Sequence, residues 1–308
     1  MRRKTKTLIY ILSFLLAFGA SAIVRMRMLG SAPARMFQVD WNGTICTDLR
    51  YGEGGFQTYD LYLPENLDRS KPQHLIVYIH GGSFNSGSKE DGAPWCRYYA
   101  SRGYLTASLN YTLQKHDEDA TLGMMEKEIE NAVAAISEYA KNARIQIVDM
   151  AVCGVSAGGT LAMNFAYGGH STIPVRFVFQ LAAPTYFAAD EWGLLKKIDG
   201  LKSDAEFYRM MIGDDYSEEN LQDGINSISP ASLVNENSVP TLMGYGLIDH
   251  CVPLTQKYYL LDSLKKYSVP YDYIEFPHSN HGMYNDPERL QKFIDLSLEY
   301  CCKYFQAM

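Results

Sequence analysis

The pattern of apolar and polar positions changes period along this chain, and each change marks an element. Residues 56–63 alternate as a half-buried strand does and stop at Pro64. Residues 75–79, Leu-Ile-Val-Tyr-Ile, are apolar without a break, as a strand covered on both faces of a parallel sheet requires. A helix is predicted over 94–101, with Pro94 at its start and Gly103 past its end, and then a strand over 104–111. Ile129, Val133, Ile136 and Ala140 recur at helical intervals within 126–141. The apolar run 150–153 leads through a tight turn into a helix-forming stretch, 160–166. Further strands are predicted over 175–181, 241–245 and 271–276, with helices over 254–266 and 287–304. Strands alternating with helices place the chain in the α/β class, with a mainly parallel central sheet and helices on both faces.

Residues 184–238 interrupt that rhythm with Tyr186, Phe187, Trp192, Phe207 and Tyr208 among acidic clusters. An insertion after a central parallel strand lies over the carboxyl ends of the strands, where ligands bind, so this stretch reads as a cap. A plain surface excursion is the alternative. At the other extreme, Arg2, Arg3, Lys4 and Lys6 precede an apolar run over 8–18 and then Ala20-Ser21-Ala22, the layout of a secretory signal peptide spanning 1–22. The run can be stretched to Val24, which leaves an uncleaved membrane anchor as the rival reading. Both export the body, as a secreted protein or one anchored on the extracytoplasmic side. Residues 23–50 then form an N-terminal extension and 51–308 one domain, since no linker-like stretch divides them.

Composition narrows the partners. With 47% hydrophobic and 20% charged residues the chain can bury a core, and its net charge of −7, more negative without the basic leader, argues against nucleic acid. The six cysteines follow neither Cys-x-x-Cys nor a short disulfide framework, and Cys153 falls where a strand needs a small core residue. No His/Cys/Asp group has metal-ligand spacing, so neither metal nor cofactor is expected. Asn42-Gly43-Thr44 and Asn110-Tyr111-Thr112 match a glycosylation pattern, the second within a predicted buried strand.

The candidate chemistry centres on Gly154-Val155-Ser156-Ala157-Gly158-Gly159, between the run 150–153 and the helix 160–166. A serine on such a strand–turn–helix bend is held out toward substrate. Ester hydrolysis also needs a base, an acid to orient it and donors for the developing oxyanion. His281 and His278 lie in the loop after the last predicted strand; Gly282 favours His281, with His278 in reserve, while His74, His116, His170 and His250 read as solvated. Asp249, directly after the strand 241–245, is the orienting acid; Asp272 and Glu275 read as solvated strand positions and Asp286 as a helix cap. His80-Gly81-Gly82-Ser83, after the strand 75–79, offers the N–H groups of Gly82 and Ser83, joined by that of Ala157.

On these residues, together with Asn110-Tyr111 and Val252-Pro253, the sequence resembles the α/β-hydrolase esterases of the hormone-sensitive-lipase and feruloyl-esterase-like branches, over residues from about 55 to 300. The resemblance implies an α/β-hydrolase fold, a Ser156, Asp249, His281 triad, no cofactor, and esterase activity on small or medium acyl esters. Two positions depart from the family pattern: Ser83 stands where the loop's third glycine is usual, and Thr112 where an arginine is. The expected function is an exported serine carboxylesterase acting on a small-molecule ester, acylated carbohydrate included. Phe84, Tyr111, Tyr186 and Trp192 are candidate substrate-binding residues. The alternatives are a serine peptidase of prolyl-oligopeptidase type and a non-catalytic binding protein on the same fold.

Overall fold

The computed structural model describes residue 37 and residues 39–305, apart from 118, 169, 199, 215 and 218. The segment read as a signal peptide or anchor lies outside the described residues. Within the unit that begins at Val39, the strands are β1 (Thr44–Arg50), β2 (Thr58–Leu63), β3 (Gln73–Ile79), β4 (Leu105–Leu109), β5 (Ile147–Val155), β6 (Val175–Leu181), β7 (Thr241–Gly246) and β8 (Tyr271–Phe276). They form one sheet in the order β1-β2-β4-β3-β5-β6-β7-β8. The pairs β1–β2 and β2–β4 are antiparallel, and every pair from β4 to β8 is parallel. The mainly parallel α/β sheet expected from the alternating rhythm is therefore the one found, and it agrees with the α/β-hydrolase fold that the resemblance implies.

β1 lies in the stretch read as an N-terminal extension and is part of the sheet, Thr44 pairing with Leu63 of β2. As an edge strand with no fully buried position it carries no alternating apolar signal.

The helices are α1 (Ala93–Ala100), α2 (Leu122–Asn142), α3 (Ala157–Gly168), α4 (Gly193–Ile198), α5 (Asp204–Ile212), α6 (Leu221–Ile228), α7 (Pro230–Leu233), α8 (Thr255–Lys266) and α9 (Pro287–Tyr304). Strand periodicity assigns them to two layers. Leu75, Val77 and Ile79 of β3 share one core with Ile129 and Val133 of α2, Leu161 of α3 and Leu260 of α8. On the other face Tyr78 stacks on Trp95 of α1, and Phe179 of β6 packs against Tyr99 of α1 and Phe293 of α9. Each face thus takes alternate residues of the same buried strands. α2 begins earlier than its periodicity predicts, because the Thr121 hydroxyl accepts from the Met124 N–H and Leu122 and Met125 extend the buried stripe.

Residues 184–238 hold a 3-10 turn, Ala189–Trp192, and α4 to α7. These helices are too short to show a period in sequence. The segment is pinned at both ends: the Thr185 and Tyr186 N–H groups donate to Gln256 Oε1 on α8 at 2.8 Å, and that of Phe187 to Ser229 Oγ at 3.1 Å. His74, expected in solvent, is buried; its ring bonds the Asp149 carboxylate and stacks on Phe305, tying β3 to β5.

Candidate active site

The carboxyl ends of β3, β5 and β7 and the loop after β8 meet at a cleft of about 540 Å³. β5 delivers Ser156. Its φ of 57° is in the left-handed region, a strained position for a residue with a Cβ. The bend is held by the Ser156 N–H donating to Leu181 O on β6 at 2.8 Å, after which α3 starts at Ala157. Close packing fixes the glycine at 158: a Cβ there would stand 2.1 Å from Ile79 O.

β3 ends in a second strained turn. Gly82, Ser83 and Phe84 have φ of 114°, 53° and 62° in succession, which turns their backbone sharply out of the strand. Gly82 O accepts from the Asn85 and Ser86 N–H groups, closing the turn. Among the described residues the N–H groups of Gly82, Ser83 and Ala157 donate to no protein acceptor. All three residues line the cleft, as Ser156 does. Such unpaired donors facing one space are what a developing oxyanion requires.

Behind this turn lies a set of buried supports. The His80 ring stacks on Tyr111 with centroids 4.3 Å apart, and its Nδ1–H donates to Gly81 O at 2.7 Å. The acceptor is a carbonyl, so Nδ1 carries the proton. Burial holds the His80 imidazole below its ordinary range and keeps it neutral. The Lys89 N–H donates to Asn110 Oδ1 at 2.7 Å. Burial pulls the Lys89 ammonium pKa down, but Asp48, Asp60 and Glu90, all within 3.0 Å of it, outweigh that and raise it. These contacts account for Asn110-Tyr111, and nothing in the spacing of Lys89 announced its part in them. At Thr112, where an arginine is usual, the Glu128 carboxylate is met by uncharged donors: Thr112 N–H and hydroxyl at 2.6 and 2.7 Å, and Gln57 Nε2 at 2.7 Å.

The turn after β7 carries Asp249, whose side chain is 1% exposed. Its Oδ1 accepts from the Cys251 and Val252 N–H groups at 2.7 and 3.0 Å, and its Oδ2 lies 2.8 Å from His281 Nδ1. The carboxylate accepts there, so Nδ1 is the protonated nitrogen and Nε2 keeps its lone pair. His281 lines the cleft with Ser156. No hydrogen bond joins Ser156 Oγ to His281 in this structure; contacts of this kind tighten when substrate binds. His278, the reserve, is excluded from the cleft: its side chain is 78% exposed and bonded to Asp286. Asp286 stands at the start of α9 but its side chain does not cap the helix. Its carboxylate instead accepts from the His278 N–H and ring and from the Ser279 hydroxyl, shaping the turn that leads to His281.

Of the four candidate substrate-binding residues, Phe84 and Trp192 line the cleft and Tyr111 and Tyr186 do not. Tyr111 is fully buried, its hydroxyl donating to His80 O at 2.9 Å, and this corrects its sequence reading: a ring sealed under the turn after β3 cannot touch substrate. Tyr186 pairs with Tyr259 on α8, centroids 4.8 Å apart, which carries its ring away from the cleft. Phe187, stacked on Trp192 at 5.5 Å, joins Leu195 and Pro184 in an apolar wall. Tyr78, Cys251 and Tyr284 also line the cleft without having been singled out, since none sits in a recognisable motif. Asp91 is the only carboxylate on the lining, which holds no Lys or Arg among the described residues.

Comparison with known proteins adds to this geometry. The BD-FAE family model matches residues 59–264. Dipeptidyl-peptidase 5 of Aspergillus oryzae is 24% identical over 265 residues, covering 80% of this chain and 34% of that protein. The probable carboxylic ester hydrolase LipM of Mycobacterium tuberculosis is 25% identical over 265 residues, covering 81% of this chain and 59% of its own length. The chain thus spans less than two thirds of the length of these curated relatives. Among solved structures, esterase B from Lactobacillus rhamnosis superposes with a TM-score of 0.69 at 20% identity, over 95% of this chain and 96% of that one. A truncated carbohydrate esterase from gut microbiota gives 0.67 at 17% identity, over 85% and 96%. These two likenesses show the fold.

Proposed function

The chain belongs to the BD-FAE family of α/β-hydrolase esterases, and from that premise we propose that it is an exported serine carboxylesterase acting on acylated carbohydrate. Ser156 Oγ attacks the ester carbonyl while His281 Nε2 takes its proton, and Asp249 holds the imidazole in the tautomer that leaves Nε2 free to do so. The N–H groups of Gly82, Ser83 and Ala157 receive the oxyanion. The tetrahedral intermediate collapses, His281 protonates the leaving alcohol, and an acyl-Ser156 ester remains. Water, deprotonated by His281, then releases the acid and restores Ser156.

The observation that carries the reading is the 2.8 Å bond between His281 Nδ1 and Asp249 Oδ2 beside a cleft that Ser156 lines from a left-handed bend. A carbohydrate substrate is supported by the family match and by the carbohydrate esterase among the structural neighbours. It also suits a cleft with an apolar wall for the acyl group and no cation to hold an acid. Export rests on the basic and apolar leader at 1–22.

The test is a rate panel of p-nitrophenyl butyrate, an acetylated xylo-oligosaccharide, a feruloyl sugar ester and a dipeptide amide. The expected result is turnover of the first ester and of at least one sugar ester, with the amide slower than both. Faster hydrolysis of the amide would favour a peptidase, as the name of the dipeptidyl-peptidase relative suggests. No turnover of any of the four would leave a binding protein.

A further inference from the structure

Cys251 has no part in the mechanism above, yet it is exposed and lines the cleft two residues from Asp249. Ligand atoms of Asp249, Cys251 and His281 all lie within 4.8 Å of one another, the only such trio among the described residues. A thiolate, an imidazole and a carboxylate are the donor types that hold zinc. On one tetrahedral zinc ion, ligand atoms stand roughly 3.3–3.8 Å apart. Nδ1 of His281 and Oδ2 of Asp249, 2.8 Å apart, must therefore open by roughly 0.5–1 Å to admit an ion between them, while a ligand atom farther off must close by up to about 1 Å. Asp249 is fixed by two backbone donors and by His281, so the exposed Cys251 side chain is the member with room to swing.

We propose that Asp249, Cys251 and His281 form an inhibitory site for a soft divalent cation of the Zn²⁺ type. Binding exchanges the Cys251 thiol proton for a metal–sulfur bond and engages an imidazole nitrogen of His281. Occupation of Nε2 removes the lone pair that accepts the serine proton. Occupation of Nδ1 displaces the proton donated to Asp249 and breaks the orienting bond. Either way the base is lost while the fold is kept, and a chelator restores it. Ser156, the glycine turn and the cap are untouched. The metal acts as a reversible stop on the enzyme, and nothing in the reaction requires it.

Binding and inhibition are measured separately, so that failure of the esterase assignment leaves the first readout intact. Calorimetric titration of the metal-free protein with Zn²⁺, and absorption on adding Co²⁺, follow the site itself, with Cys302→Ser as control for the other exposed thiol. Expected are one Zn²⁺ per chain and a thiolate-to-cobalt charge-transfer band, both retained in Cys302→Ser. In Cys251→Ser the band is lost and the half-inhibitory Zn²⁺ concentration, taken against that variant's own metal-free rate, rises at least about tenfold. Blocking Cys251 with a methanethiosulfonate reagent in Cys302→Ser, which lacks the other exposed thiol, should likewise abolish the cobalt band. An unchanged half-inhibitory concentration in Cys251→Ser, or a cobalt band that survives there, overturns the site, as does absence of Zn²⁺ binding to the unmutated protein.

Discussion

His281 and His278 sit three residues apart in one loop and have different environments. The ring of His281 is 27% exposed and tied to a carboxylate that is almost wholly buried, whereas His278 points outward and serves Asp286. The expected outcome of His281→Ala is a fall in kcat of about 10⁴-fold or more, the scale on which triad members act. His278→Ala should stay within about threefold of the unmutated kcat/KM, as exposed substitutions do. Steady-state kinetics on p-nitrophenyl butyrate separates them, and a reversal of the two effects would move the base. That His281 rather than His278 lies beside Asp249 and the cleft agrees with the reading from Gly282. The place of Tyr111 was not legible in sequence: its aromatic ring made it a candidate for substrate contact, and only the three-dimensional course of the chain beyond β4 shows that the ring is enclosed beneath His80.

Between elements, Glu126 of α2 accepts from Asn164 Nδ2 of α3 at 2.6 Å, and the same amide donates to Ile228 O at the end of α6 at 2.8 Å. The helix that follows Ser156 is thereby linked to the segment lying between β6 and β7. Burial raises the Glu126 carboxyl to about 7, opposed in part by the Asn164 bond and reinforced by nearby Glu130. A folded-state value above the ordinary 4.5 means the neutral form is favoured on folding. The stability it confers is complete below about 4.5 and is lost as pH rises through about 7. Glu126→Gln keeps the shape without the charge. It should exceed the unmutated protein in stability above pH 7 by about 2 kcal/mol, or roughly 5 °C in melting temperature, with the difference closing near pH 5. Identical melting profiles from pH 5 to 8 would show that the carboxyl pays no desolvation cost. Helix α2 was legible from its periodicity, and α3, buried almost all round, only as a helix-forming stretch after the serine turn. α4 to α7 were not, since helices of nine residues or fewer complete too few turns to show one.

At the scale of the molecule, the parallel order β4-β3-β5-β6-β7-β8 sends the carboxyl ends of the strands to one side, so that parts distant in sequence share one cleft. Gly82, Ser156, Asp249 and His281 each follow on a strand or its turn, and that placement is why period and glycine position single them out as candidates in sequence. The antiparallel edge left no such trace, because β1 exposes or half-exposes every residue. Much of the rest of the cleft's lining, Ser83, Phe84, Cys251 and Tyr284 among it, comes from loops whose sequences have no period, and among the described residues it holds Asp91 but no Lys or Arg. In the proposed mechanism Ser156 is the nucleophile of this cleft. The most direct test of that role compares Ser156→Ala with the unmutated protein for p-nitrophenyl butyrate hydrolysis and fluorophosphonate labelling, with circular dichroism to show that both are folded. A folded variant that takes up no label and has lost at least about 10⁴-fold in kcat is the outcome expected. A folded Ser156→Ala protein that still labels or turns over ester near the original rate would contradict it.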